Sequence, residues 1–289
     1  MSDPSTTGPT YRAFSVEHAE HVAHVTLLGP GTGNALGPDF WREAPRVFGA
    51  LDRDERVRAI VLGGSADTFT FGLDLPAMAG QIRGVLGDAP LAAERTRLLD
   101  MLGDMQRGVR ALLECRKPVI AAISGWCVGA GIDLICAADV RVASREAMFS
   151  VRAVRIGIVE DMGSLQRLPA IVGEGAAREL ALTGDDFDAA RAAAIRLVDH
   201  VEETPAGARE HATAIAHRIA ANPPLTVQGV KQVMNAHALD RIADGLRHTA
   251  LWNAAFLPSH DFAEAMRAFM QRETEKWAKV VKDSGARID

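Results

Sequence analysis

The sequence has little of what would staple it covalently, draw it to polyanions or hold it in a bilayer. It contains only three cysteines, Cys115, Cys127 and Cys136. Three thiols cannot form a closed disulfide set, and each lies in or beside an apolar run, so buried, reduced cysteines are expected. Basic charge is not in excess. Lys and Arg number 32 against 37 Asp and Glu, a net charge of −5, which gives no basic stripe for a nucleic acid. The opening MSDPSTTGPTYRAF has no apolar signal segment, and a cytoplasmic location is the expectation. One apolar run, Pro118 to Val140, is long enough to cross a membrane. Asp133 and Asp139 interrupt it and glycines sit at its middle, so its halves read as a buried strand and a buried helix instead. Nucleotide-binding glycine patterns are missing: there is no GxxxxGK followed by Ser or Thr, and Gly31-Thr32-Gly33 lacks its third glycine. Ser124 has no GxSxG context. His18, His21 and His24 recur every third residue, but across a strand-pair turn that spacing scatters side chains, so no metal site is expected.

What is present is an ordinary globular composition of 289 residues, 48% hydrophobic and 24% charged, sufficient for a large core. Phe14–Val16 and Val22–Leu27 read as a strand pair. A helix is expected from about Asp39 to Arg53, and a buried strand over Arg58–Gly63. Strand, glycine loop and helix recur around residues 118–138. Another unit begins at Arg141–Ala143, with Phe149–Val154 strand-like. This alternation predicts an α/β core over residues 10–205. From residue 206 to 289 the apolar period becomes helical, broken at Asn222-Pro223-Pro224 and Leu257-Pro258. Such amphipathic helices cover either their own core or a neighbouring subunit, and the sequence does not choose.

Two glycine loops follow strands and carry the chemical signal: Thr68-Phe69-Thr70-Phe71-Gly72-Leu73-Asp74-Leu75, and Gly125 to Gly131. Glycine brings bare backbone close to a ligand. The second loop opens a helix, whose free N–H groups carry partial positive charge. Two converging amides form an oxyanion hole, though the same glycines also serve ordinary tight turns. Asp133 lies in an otherwise apolar helix start, where a buried carboxylate needs a reason: a cap for the helix, or a proton carrier facing a substrate. Asp161 precedes a further helical run and reads either as an N-cap or as a second acid on the same cavity. Glu160 beside it is expected to face solvent. Trp126 and Phe71 read as core packing in preference to pocket walls.

The stretches FTFGLDLPAM, AAISGWCVGAGIDLICAADVRVAS and GSLQRLPAIVG resemble the crotonase superfamily, also called enoyl-CoA hydratase/isomerase, over about residues 14–275. That resemblance implies an α/β fold built as a crotonase-like spiral of ββα units, with a C-terminal helical trimerisation region. It implies an acyl-coenzyme A thioester as substrate, no metal or redox cofactor, and a homotrimer or dimer of trimers. By position, the N–H groups of Leu73 and Ala130 would form the oxyanion hole. Asn34, Ala35, Leu36, Gly72, Asp74, Leu75 and Gly129 would flank the coenzyme A moiety. Hydratases of the superfamily carry glutamates at the positions of Asp133 and Ala153. The second is absent here, which disfavours simple hydration. The sequence is most similar to Δ3,5-Δ2,4-dienoyl-CoA isomerases, whose acids sit at the positions of Asp133, Ala153 and Asp161. Two of the three are present, with Glu160 a candidate substitute for the third. The alternatives are a hydratase of altered specificity and a catalytically reduced acyl-CoA-binding subunit.

Overall fold

The computed structural model describes residues 10–31, 33–82, 92–257 and 259–284. Strands β1 (Phe14–Ala19) and β2 (Val22–Leu27) pair antiparallel through a two-residue turn. Helix α1 (Pro38–Arg53) starts with Pro38 and Asp39, a residue of fixed helical φ and an acid at the positive end of the dipole. It buries Phe40, Ala44, Val47, Phe48 and Leu51 along one stripe. Then follow β3 (Ala59–Gly64), α2 (Leu75–Ile82), α3 (Ala92–Glu114), β4 (Val119–Ile123), β5 (Trp126–Val128), α4 (Ala130–Ala137), β6 (Val140–Ser144) and β7 (Met148–Ser150). After a 3₁₀ turn at Ala153–Ile156 come α5 (Ser164–Val172), α6 (Glu174–Thr183), β8 (Asp186–Asp188), α7 (Ala189–Ala194), β9 (His200–Glu202), α8 (Pro205–Ala220), α9 (Pro224–Phe256) and α10 (His260–Ser284).

The larger sheet runs β1-β2-β3-β4-β6-β9, and every pair after the first is parallel. Parallel strands need both faces covered, which is why β3 and β4 are near-continuous apolar runs. Alternate residues separate to two cores. Val25, Ile60, Leu62, Ala121 and Ile123 face α1, α3 and α4, whereas Val22, Ala59, Val61, Ile120 and Val142 face Ala208, Ala212, Ile215 and Ala216 of α8. Helix α8, placed by sequence periodicity in the appendage, is therefore a layer of the core. The smaller sheet, β5-β7-β8, carries the second glycine loop.

Residues 149–154 do not continue as a strand. β7 ends at Ser150 because the chain turns: the Ala153 carbonyl accepts from Ile158 N–H and Gly157 adopts φ +71. In α9 and α10, Ile242, Leu246, Ala250 and Phe262 join the main core, while Leu225, Val230, Val233, Met234, Trp252 and Phe256 remain exposed. The tail thus covers its own core and still presents an apolar face. Cys115, Cys127 and Cys136 are free and buried, and burial pushes the Cys136 thiol up to about 12, which leaves it unreactive. Among the described residues no helix is long and apolar enough to cross a membrane.

Candidate active site

The two glycine loops are hydrogen-bonded to each other. Phe69 N–H donates to the Ser124 carbonyl and Thr70 N–H to that of Trp126, each at 2.8 Å, and Val128 N–H returns a bond to the Thr70 carbonyl at 3.0 Å. On its other side the first loop is held by Leu36, which donates to the Gly72 carbonyl at 2.7 Å and accepts from Asp74 N–H at 3.2 Å. In this parallel bridge Leu73 points its own amide away from Leu36. Gly72 (φ +84) lies so close to the second loop that a Cβ there would stand 2.6 Å from the Val128 oxygen and 3.4 Å from Ala130 N. Gly129 (φ +52) turns the chain into α4, so that Ala130 is its first residue. Among the described residues, neither Leu73 N–H nor Ala130 N–H has a hydrogen-bond acceptor. Two unspent donors thus stand on loops in direct contact, one at the positive end of a helix.

Asn34 (φ +47, fully buried) gives both amide hydrogens to the carbonyls of Ser65 and Thr68 and accepts from the Ser65 hydroxyl. Its side chain is spent on tying loop 29–36 to the first glycine loop. Leu36 is likewise buried, and Ala35, Asp74 and Leu75 are half-buried. The Asp74 carboxylate accepts from Ala77 N–H at 3.0 Å and so caps α2. Phe71 is 46% exposed and stacks on Trp126, whose ring also lies 5.6 Å beneath the Arg152 guanidinium. These aromatics are not core packing. They form a partly solvated cluster beside the loops, because Trp126 on β5 meets the ring of the facing loop before either reaches the interior. Residues 78–100, whose sequence carries no readable code for an acyl chain, lie in part outside the described residues.

Asp133 and Ala130 are three apart on α4 and share a face. The Asp133 carboxylate accepts from Ser164 N–H at 2.5 Å, while its Oδ2 has no N–H or O–H donor. So it caps α5, not its own helix, and keeps one oxygen unspent. Burial pushes the Asp133 carboxyl up to about 6, against the opposing pull of Ser164. Asp161 is also buried. Its Oδ2 accepts from Asn253 Nδ2 at 2.7 Å, and its carbonyl accepts from Gln106 Nε2 at 2.8 Å. Burial, aided by the charge of Asp133, pushes it up to about 7 although Asn253 pulls the other way. Glu160, expected in solvent, is buried with them and raised well above the usual carboxylate range by burial and by both aspartates. The chain has no room to send it outward: residues 157–161 pass beneath α9 and α10, with Asn253 bonded to Val159 and Phe262 against Gly157. Asn253 and Gln106 had no sequence signal, since both are polar residues on helices far away along the chain. A groove of about 620 Å³ between α5 and the start of α9 does not include these acids.

One prediction follows from Asn253. Its N–H is the donor that favours the ionised form of Asp161, so Asn253→Ala is expected to move the Asp161 midpoint above about 7. Carboxyl ¹³C titration by NMR reads it, and an unchanged or lower midpoint would contradict the assignment.

Unspent loop amides, a helix N-terminus and buried acids with elevated pKa fit an enzyme site for polarising a carbonyl and moving protons. The comparisons name its kin: the Enoyl-CoA hydratase/isomerase family matches residues 17–280, so the chain belongs to that family of acyl-CoA enzymes. It is similar to the peroxisomal Delta(3,5)-Delta(2,4)-dienoyl-CoA isomerase of Arabidopsis thaliana, 37% identical over 90% of this chain and 93% of that one. The mitochondrial protein of the same name from Dictyostelium discoideum is 38% identical over 91% of this chain and 89% of its own length. Among solved structures, an enoyl-CoA hydratase/isomerase from Xanthobacter autotrophicus superimposes with TM-score 0.80 at 26% identity, covering 96% of this chain and all of the other. The crotonase-like α/β fold and membership of the hydratase/isomerase family of acyl-CoA enzymes are thereby established for this chain.

Proposed function

We propose that this chain shifts the double bonds of a 3,5-dienoyl-CoA to the 2,4 positions. The observations that support the reading are the two unspent amides, Leu73 and Ala130, on loops bonded to each other, Asp133 one helical turn from Ala130 on α4, and the buried acids Asp133 and Asp161 raised toward neutrality. The amides hold the thioester oxygen, each worth about 3 kcal/mol as negative charge develops there. A carboxylate on the α4 side takes a C2 proton, and the C–H electrons pass into an extended dienolate. Asp161, protonated, returns a proton at C6, and the electrons come back to leave double bonds at C2 and C4. One proton leaves and one arrives with no net electron change, so the chemistry asks for no redox cofactor, and the carbonyl's polarisation is assigned to backbone amides with no metal. Coenzyme A binding is assigned to the walls around Ala35, Leu36, Gly72, Asp74, Leu75 and Gly129. The exposed apolar residues of α9 support a homotrimer or dimer of trimers. A cytoplasmic location is part of this proposal; the relatives are named peroxisomal and mitochondrial, and fractionation decides.

The test is spectroscopic. A 3,5-dienoyl-CoA should give a red-shifted conjugated dienoyl thioester, and crotonyl-CoA should keep its enone absorbance. Loss of the crotonyl absorbance with no dienoyl conversion would make the protein a hydratase. No change with either substrate would make it a binding subunit.

A further inference from the structure

Residue 153 is an alanine and holds no acid, yet its surroundings contain one. Ala153 N–H donates to Glu160 Oε1 at 3.3 Å, so the Glu160 carboxyl is delivered to the backbone of residue 153 from seven residues further along. Glu160 is 8% exposed and stands in hydrogen-bond contact with the carboxyl of Asp133. Asp133 Oδ2 is buried and has no N–H or O–H donor. Two carboxylates cannot share such a contact while both are ionised, and one proton must lie between them. Among the described residues no lysine or arginine forms an ion pair with Asp133, Glu160 or Asp161. The charges facing Glu160 are Asp133 from α4 and Asp161 from its own segment. No cation compensates, and a purely structural role would be better served by an apolar side chain.

The geometry points to Glu160 as a catalytic residue: with Asp133 it forms the single-proton carboxyl pair that takes the C2 proton, filling from position 160 the place that residue 153 leaves empty. This rests on the isomerase reading above. The pair starts with one proton and a charge of −1. It gains the C2 proton and becomes neutral as the dienolate forms. Asp161 loses its proton to C6, and one proton then passes from the pair to Asp161, its immediate chain neighbour, restoring both for the next turnover.

The experiment compares wild type, Glu160→Gln, Glu160→Ala and the relocated acid Ala153→Glu/Glu160→Ala. For a 3,5-dienoyl-CoA, Glu160→Gln is expected to lower kcat at least about 100-fold with KM within about threefold of wild type. The relocated acid should be at least about tenfold faster than Glu160→Ala alone. Difference infrared spectra at neutral pH, needing no turnover, should show a protonated-carboxyl C=O stretch that survives Asp161→Asn and that Glu160→Gln loses. A Glu160→Gln enzyme within about threefold of wild type kcat, a relocated acid no faster than Glu160→Ala, or an infrared band unaffected by Glu160→Gln each overturns the inference. If wild type fails to convert the dienoyl-CoA while the band behaves as expected, the functional reading falls and the proton-sharing pair stands.

Discussion

Asp161→Asn is expected to lower kcat for a 3,5-dienoyl-CoA by about 100- to 10,000-fold, with substrate affinity little changed. The amide keeps the shape and can still pair with Asn253, but it has no proton to give at C6. The same variant should be more stable than wild type at alkaline pH. The Asp161 carboxyl titrates near 3.8 in an unfolded chain and near 7 in the folded one. Between those values the unfolded chain has released a proton that the folded chain still binds, so stability falls as pH rises through that window. A shift of this size corresponds to a penalty of about 4 kcal/mol, fully present above the folded pKa and absent below about pH 4. Thermal unfolding at pH 8 should therefore favour the asparagine variant, and the advantage should vanish at pH 4. Equal activity in the two enzymes would remove Asp161 from the chemistry. A constant difference in melting temperature at both pH values would remove its elevated pKa. Activity at the expense of stability is the usual bargain of a buried functional acid.

Gly72→Ala is expected to cost about 100- to 1,000-fold in kcat through the backbone alone. The added methyl would stand 2.6 Å from the Val128 oxygen, and φ +84 is a conformation alanine resists. Neither loop can yield independently, because Thr70 is bonded to both Trp126 and Val128. The methyl must push Val128 and Ala130 away from Leu73, spreading the two donors that have to meet one oxygen. Measuring kcat together with the affinity for a saturated acyl-CoA separates this from unfolding: affinity should fall far less than kcat. A Gly72→Ala enzyme with wild-type kcat would show that the two amides do not act as a pair.

Much of this was legible beforehand. The apolar runs at β3 and β4, the Pro38-Asp39 start of α1 and the glycine loops have local causes, and they appear where sequence pattern places them. Asp133 was conspicuous as an acid in an apolar helix start, but whether it capped or catalysed was open. The structure answers with Ser164, a residue on another helix. The direction Glu160 faces is not written in the sequence, for the same reason. A single acid beside another, in a stretch without periodicity, gives no sign of which way it faces; α9 and α10 closing over residues 157–161 decide that. Helix α8 was assigned to the tail because periodicity reports that a helix has an apolar face, not which sheet face receives it.

By itself the sequence determined the elements, their alternation, the two loops able to expose amides, and the absence of an acid at residue 153. Those follow from local stereochemistry and from side-chain identity, which act within a few residues. Only the tertiary structure decided that the loops zip together, that Asn253 and Gln106 hold Asp161, and that Glu160 reaches the backbone of Ala153. Such contacts join residues up to 92 positions apart in the Asn253–Asp161 pair, and their pKa consequences arise from burial, a property of the packed chain and of no residue alone.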